Sequence, residues 1–100
     1  MLILHHPKVL SPLAMPLVDR PHLTARFELF VRGWELVNAY TELNDPRIQR
    51  VNTPGEDEFI EALEYGLVPC AGWGLGVDRL AMLVTGCERI QEVIAFPLLK

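Results

Sequence analysis

The chain has 100 residues, half of them hydrophobic, and a formal net charge of −4. This length allows one small domain, and the acidic balance argues against a standalone nucleic-acid-binding protein, which usually presents a basic face. Cys70 and Cys87 lack metal-site spacing and are expected to be free thiols. Neither a signal peptide nor a membrane-spanning stretch is evident, so we expect a cytoplasmic protein without membrane contact.

The first half of the chain predicts mainly β-structure. Residues 1–4 are an apolar run that predicts a short buried strand, and residues 9–14 are expected to be extended. Alternating apolar side chains predict a half-buried strand over residues 26–31. Arg32-Gly33 suits a two-residue hairpin turn, so residues 34–43 are expected to form the partner strand.

The second half predicts helices around one further strand. The expected elements are, in order, a helical turn over 46–50, a helix over 54–65, a strand over 72–77, a helix over 78–84, and a segment over 90–96 that turns from helix to extended chain. Thr53 and Glu56 form a capping box before the second of these, and Asp78 is expected to cap the third helix. Gly66 and Gly86 suit helix ends. The predicted fold class is α+β, an antiparallel sheet with flanking helices.

Glu28 and Glu35 stand on the two strands of the predicted hairpin. If residue 28 pairs near 37 and residue 30 near 35, the two glutamates lie diagonally on one face, with backbone positions about 7–8 Å apart. That separation suits a hard divalent cation with a polyphosphate. The alternative is two solvated carboxylates on a strand.

Asn38, Tyr40 and Glu42 alternate along the second strand and therefore share a face. Glu42 can accept a hydrogen bond from an ammonium, Asn38 can donate and accept, and Tyr40 offers an apolar wall with a polar tip. The alternative is the polar outer face of an edge strand. Strict alternation places Glu35 on the opposite face, so a single site that uses all four residues requires a β-bulge between Glu35 and Asn38.

The segment from Ala71 to Leu80 is AGWGLGVDRL, in which glycines precede an arginine near a helix start. Glycines let the main chain approach a ligand closely, and an arginine at a helix start suits a phosphate or a nucleotide. The alternatives are a tight turn between strand and helix, and an Arg79 that pairs with Asp78 or Glu88 on the helix surface.

Several segments together resemble, in the expected order, the C-terminal part of the catalytic domain of class II lysyl-tRNA synthetases. They are residues 10–14 (LSPLA), 26–30 (RFELF), 34–46 (WELVNAYTELNDP), 62–67 (ALEYGL), 71–80 and 92–97 (EVIAFP). The glycine segment is similar to motif 3 of that class. Residues 38–46 are the most specific stretch, because they separate this group from most other class II synthetases.

The resemblance implies ATP-dependent activation of L-lysine to lysyl-adenylate and its transfer to tRNA(Lys). It implies a catalytic Arg79, ATP contacts from Glu28, Leu29, Glu35, Gly74, Gly76, Val77, Asp78 and Arg79, lysine contacts from Asn38, Tyr40 and Glu42, and Mg²⁺ held by Glu28 and Glu35. Gly74 and Gly76 would make room for the adenine.

The resemblance also stops short of the whole family pattern. No segment is similar to motifs 1 and 2 or to the anticodon-binding domain, and the stretch between Arg50 and Asp57 is shorter than is usual in the family. We therefore expect residues 1–100 to be a partial catalytic domain around motif 3 that meets tRNA(Lys) only through regions missing here. Exposed apolar strands favour self-association or a synthetase partner. Two other hypotheses are a non-catalytic interaction module derived from a synthetase and a ligase that aminoacylates something other than tRNA.

Overall fold

The computed structural model describes residues 1–98, which form a four-stranded antiparallel sheet with three helices. The strands lie side by side in chain order: β1 (Leu2–Leu4), β2 (Arg26–Val31), β3 (Trp34–Thr41) and β4 (Ala71–Leu75). The helices are α1 (Pro46–Asn52), α2 (Asp57–Glu64) and α3 (Val77–Thr85), and short 3₁₀ turns span Lys8–Leu10 and Ile90–Glu92. The predicted α+β class, an antiparallel sheet with flanking helices, is confirmed.

The hairpin between β2 and β3 turns at Arg32 and Gly33, as predicted. Both residues have positive φ, 52° and 79°. This combination matches the twist of two antiparallel strands joined by a two-residue turn. Glycine adopts it without strain, and Arg32 is held there by the strands on either side.

A β-bulge interrupts the register of this hairpin. Leu29 is opposite Val37 and Phe30 is opposite Glu35, so Leu36 is the extra residue of β3. Because side chains alternate along a strand, one extra residue reverses which face the following side chains occupy. The predicted bulge between Glu35 and Asn38 is confirmed, and the two residues therefore share a face.

The hydrophobic core is thin, since the molecule measures 44 × 31 × 23 Å and its radius of gyration is 17.1 Å. A compact domain of this length has a radius near 13 Å. The buried apolar side chains are Ala14, Leu36, Ala39, Leu43, Ile60, Leu63 and Met82. The expectation of a buried strand at the N-terminus was wrong, because β1 is an edge strand whose Leu2 and Leu4 are each 55% exposed.

The predicted capping box before α2 was wrong. Helix α1 continues beyond Arg50 to Asn52, so Thr53 closes α1 instead of opening α2. The Thr53 N–H donates to the Gln49 carbonyl at 2.9 Å, and the Thr53 hydroxyl accepts from the buried Gln49 amide at 2.9 Å. Helix α2 begins only at Asp57, where two acidic residues in its first turn favour the positive end of the helix dipole.

The expectations for two other segments need correction. Helix α3 begins at Val77 with Gly76 at its N-cap, so Asp78 lies in the first turn and does not cap. Its end at a left-handed Gly86 is as predicted. The extended segment expected at 9–14 instead starts with a 3₁₀ turn, because the Leu10 N–H bonds back to the Pro7 carbonyl at 3.0 Å. Nowhere in residues 1–98 does a helix have the length and apolar character needed to cross a membrane.

Candidate active site

Two adjoining clefts open along the β3–β4 side of the sheet. The first, here called the Arg79 cleft, has a volume of about 370 Å³ and is lined by Glu35, Leu36, Asn38, Gly74, Leu75, Gly76, Asp78, Arg79 and Ile90. The second, the Glu42 cleft, has a volume of about 300 Å³ and is lined by Asn38, Tyr40, Glu42, Gly72, Trp73 and Gly74. Because Asn38 and Gly74 line both, the clefts meet at this pair of residues.

The pairing of β3 with β4 explains why this side of the sheet is open. Asn38 lies opposite Gly74, and Tyr40 lies opposite Gly72. Cross-strand partners project from the same face, so a side chain at either glycine would stand next to the polar residue of β3. The glycines of β4 therefore leave room for a ligand beside Asn38 and Tyr40.

The start of α3 is fixed against the bulged part of β3. The Gly76 N–H donates to the Leu36 carbonyl at 2.9 Å, and the Arg79 guanidinium donates to the Glu35 carbonyl. Arg79 thus bonds to a main-chain acceptor of the cleft and not to Asp78 or Glu88, the carboxylates that a helix-surface arginine would pair with. The cleft is thus lined by a cationic side chain, that of Arg79, and by an acidic one, that of Glu35.

Glu28 is on the same face of the sheet but lines neither cleft. Its Oε1 is paired with the Arg26 guanidinium, and its Oε2 lies 3.3 Å from Nε2 of His6. Both carboxylate oxygens of Glu28 therefore have a partner, and the side chain is only 13% exposed. Although Glu28 and Glu35 lie diagonally across the hairpin as expected, only Glu35 faces the Arg79 cleft.

Arg26 organises this region, although the sequence analysis assigned it no role in the site. Its guanidinium donates to Asn38 Oδ1 at 3.1 Å, to Ser11 Oγ at 2.9 Å and to the Leu10 carbonyl at 3.2 Å, besides its pairing with Glu28. With its oxygen directed to Arg26, Asn38 has its amide N–H groups left to donate to a ligand. The position of Arg26, two residues before Glu28 on one strand face, was the only sequence signal for it.

The Glu42 carboxylate stands in contrast to that of Glu28. Glu42 is half-buried, and its N–H donates to the Cys70 carbonyl at 3.0 Å, which fixes its backbone beside β4. In the described part of the chain its side chain has neither a hydrogen-bond nor a salt-bridge partner. The carboxylate is therefore available to a cationic group of a ligand.

The remaining predicted site residues divide into two groups. Gly74, Gly76 and Asp78 line the Arg79 cleft as the expected ATP contacts would. Leu29 and Val77 line neither cleft: Leu29 is paired with Val37 on the opposite face of the sheet, and the Val77 side chain is 71% exposed at the start of α3. The structure thus does not bring these two side chains to the site.

With this geometry established, comparison with known proteins gives a family assignment. The family model described as "tRNA synthetases class II (D, K and N)" matches residues 1–100. The chain belongs to the class II tRNA synthetases. This family membership agrees with the similarity of the sequence to the lysine-specific members of the class.

Individual class II synthetases similar to this chain carry the name lysine–tRNA ligase. The enzyme of Porphyromonas gingivalis is 50% identical over 113 residues, covering 98% of this chain and 20% of the relative. That of Fusobacterium nucleatum is 49% identical, covering 95% and 22%. The lysine–tRNA ligase cla4 of Cladosporium cladosporioides is 48% identical, covering 95% and 18%.

The chain spans about a fifth of the length of these class II synthetases. Their alignments, of 110 to 113 residues, are longer than the chain itself. The relatives therefore have residues within the matched region that this chain lacks. That these residues fall between Arg50 and Asp57 stays a prediction.

Proposed function

We propose that this chain carries the lysine and ATP sites of a lysine–tRNA ligase, and that residues 71–80 are motif 3 of its class. One observation carries the proposal: the two clefts meet at Asn38 and Gly74, with Arg79 in one and, in the other, the Glu42 carboxylate, which has no partner among residues 1–98. An amino acid and a nucleotide that must react with each other require such adjoining sites.

The Glu42 cleft suits lysine in one orientation. The Glu42 carboxylate would accept hydrogen bonds from an ammonium, and Tyr40 would pack along the aliphatic chain. Asn38, whose amide oxygen is taken by Arg26, would donate to the lysine carboxylate. Since Asn38 lies where the clefts meet, this orientation brings the carboxylate to the edge of the nucleotide site.

The Arg79 cleft would hold ATP. Arg79 would bind the phosphates, and Gly74 and Gly76 would let the adenine approach the main chain. Asp78 lines the same cleft, whereas Leu29 and Val77 would contribute only through their backbone.

The reaction needs no nucleophile from the protein. A lysine carboxylate oxygen attacks the α-phosphorus of ATP, the bond from that phosphorus to the bridging oxygen breaks, and pyrophosphate leaves. Transfer of the lysyl group to the tRNA(Lys) 3′ end would use tRNA contacts outside this chain. Asn38 and Arg79 would act by positioning the reactants and offsetting their charge, which is where most of the rate enhancement in such reactions originates.

A magnesium ion that accompanies ATP would be held by Glu35 and Glu28 together with the substrate, since the described part of the chain has no group of three or more metal-ligating side chains. Magnesium in nucleotide sites is commonly bound by one or two carboxylates together with substrate phosphates and water. Glu35 faces the Arg79 cleft with a carboxylate that has no partner among residues 1–98, and Glu28 lies diagonally from it across the hairpin. Glu28 would have to release His6 or Arg26 to bind the ion. When bound, the ion would neutralise phosphate charge.

Calorimetric titration of the 100-residue chain tests the proposal, with L-lysine and Mg·ATP titrated separately. We expect both to bind, and we expect Glu42→Gln to weaken lysine roughly 30-fold or more while Mg·ATP changes less than about twofold. The reason is that leaving a charged group under-paired costs about 2 kcal/mol or more. Glu61→Gln, an exposed change on α2, is the matched control and should alter neither affinity.

A folded chain that binds neither ligand would contradict the proposal. Circular dichroism of each variant establishes the fold, so a negative titration could not be attributed to unfolding. That outcome would favour the hypothesis of a non-catalytic interaction module.

A further inference from the structure

Gly72 is separated from the Glu42 side chain by very little space. A Cβ atom at position 72 would lie 2.8 Å from Oε1 of Glu42. Real Cβ atoms essentially never approach another heavy atom so closely, so the two side chains could not coexist in this arrangement. The Glu42 carboxylate occupies the space that the missing side chain leaves free.

The other glycines of the segment do not share this property. A Cβ at Gly74 would meet nothing within 4 Å, and one at Gly76 would make ordinary contacts of 3.5 Å or more with Arg79. Gly72 does not have a positive φ either, so its backbone conformation is open to any residue. The need for glycine at position 72 therefore comes from the Glu42 contact alone.

We propose that Gly72 is a positioning residue for lysine selection: its lack of a side chain lets the Glu42 carboxylate lie over β4 and face the substrate ammonium. This inference rests on the proposed lysine site and adds a residue that the sequence analysis did not assign to it. It also gives Gly72 a role different from that of Gly74 and Gly76, which would make room for the nucleotide.

A methyl group at position 72 would displace the carboxylate without damaging the fold. The contact is with the far end of a flexible side chain, which can rotate away. Nothing among residues 1–98 holds the Glu42 carboxylate by a hydrogen bond, so little resists the rotation. A displaced carboxylate no longer meets the ammonium, and affinity for lysine falls while the sheet remains intact.

The test compares Gly72→Ala with Ala71→Val in the 100-residue chain. Ala71 is the exposed neighbour of Gly72 on β4 and lines neither cleft, so Ala71→Val adds methyl groups to the same strand away from the site. The first readout needs no ligand: the carboxyl ¹³C resonance of Glu42 should shift in Gly72→Ala and stay in place in Ala71→Val. The second is calorimetry, in which lysine should bind about tenfold more weakly to Gly72→Ala, because a charge-assisted bond is lost, whereas Ala71→Val should leave lysine affinity within about twofold.

A second substitution checks that the effect passes through Glu42. In Glu42→Asp the carboxylate is one methylene closer to β3 and no longer reaches the position where a methyl at 72 would lie. Gly72→Ala should therefore weaken lysine binding when it is made in the parent chain, but should cause no additional loss of lysine affinity when it is made in the Glu42→Asp chain. Such non-additivity is the mark of two residues in contact.

The outcomes separate this inference from the proposed function. If Glu42→Gln abolishes lysine binding while Gly72→Ala moves neither the Glu42 resonance nor the lysine affinity, the inference is overturned and the lysine site stands. If the Glu42 resonance moves in Gly72→Ala but Glu42→Gln leaves lysine affinity unchanged, the lysine site is overturned and the inference with it. A Gly72→Ala chain that fails to fold also overturns the inference, because it would make Gly72 structural.

Discussion

The Arg79 guanidinium of α3 donates a hydrogen bond to the main-chain carbonyl of Glu35 in β3. The adjoining bond from the Gly76 N–H to the Leu36 carbonyl holds the first turn of the helix on the same strand. These two bonds orient Arg79 over the cleft before any ligand arrives. A preoriented cation contributes more to binding a phosphate than one that must first be ordered.

Arg79→Ala should weaken Mg·ATP binding about tenfold or more while lysine binding changes little. Removing a charge-assisted bond to a phosphate costs roughly 1.5–3 kcal/mol. Calorimetry with each ligand measures the difference, and Arg89→Ala is the control, because Arg89 is an exposed arginine whose side chain lies near Glu92 and lines neither cleft. Equal losses for both ligands would mean that Arg79 supports the fold and not the nucleotide.

Arg26→Lys should weaken lysine binding about tenfold although the charge is kept. A lysine ammonium cannot span the four acceptors that the guanidinium reaches, so Asn38 would lose its fixed orientation. The urea midpoint of unfolding should fall as well, since Arg26 joins the first loop to β2 and β3. Arg20→Lys, at an exposed pair with Asp19, should change neither quantity. Unaltered lysine affinity in Arg26→Lys would show that Asn38 is not oriented by this contact.

The pKa of Asp45 is lowered to about 2 from 3.8, and NMR titration should find it there. The main cause is the side-chain hydrogen bond from Arg47, followed by the Arg47 N–H bond at the start of α1. Because the folded pKa is below the unfolded value, ionised Asp45 stabilises the fold above pH 3.8, and this stabilisation disappears as the pH falls through about 2.

Arg47→Ala should raise the pKa of Asp45 toward 3.8 and reduce the pH dependence of stability between pH 4 and pH 2. The control is Arg50→Ala, which removes an arginine of the same helix that pairs with Glu64. A low pKa that persists in Arg47→Ala would mean that the main-chain N–H bonds to Asp45 at the start of α1 lower it more than the Arg47 side chain does.

Trp73→Lys should reduce self-association of the chain. Trp73 is 73% exposed on β4, an edge strand of the described sheet, where apolar side chains favour pairing between copies. Analytical ultracentrifugation over a range of concentrations measures the effect. Val18→Lys replaces a fully exposed apolar residue in a loop and is the control. A monomeric parent chain, or equal effects of the two substitutions, would contradict the prediction.

The sequence predicted the hairpin because the turn residues Arg32-Gly33 fix where the strands reverse. It predicted the bulge only together with the resemblance, which assigns Glu35 and Asn38 to one site. Strict alternation would put these two residues on opposite faces, and one extra residue in the strand removes that conflict. These constraints lie within a few residues of each other. Parity arguments of this kind do not depend on how the rest of the chain packs.

The contacts of Arg26 and Gly72 could not be predicted in the same way. Each depends on which atoms meet across strands or from a distant loop, as Arg26 does with Ser11 and Gly72 with Glu42. The failed capping box at Thr53 has a related cause. The Thr53–Glu56 pattern is typical of a helix start, but helix α1 extends two residues beyond Arg50, so that Thr53 is the C-cap of α1.

The bulge at Leu36 changes the alternation of side chains along β3. Before the bulge, odd-numbered Glu35 is on the face of the proposed nucleotide site, and after it the even-numbered residues from Asn38 onward are on that same face and form the proposed amino-acid site. Deletion of Leu36 would keep the order of the later residues but would turn each of their side chains to the opposite face of the sheet. Asn38 and Tyr40 would exchange places with their apolar neighbours, and both ligand sites could no longer be built on a single strand.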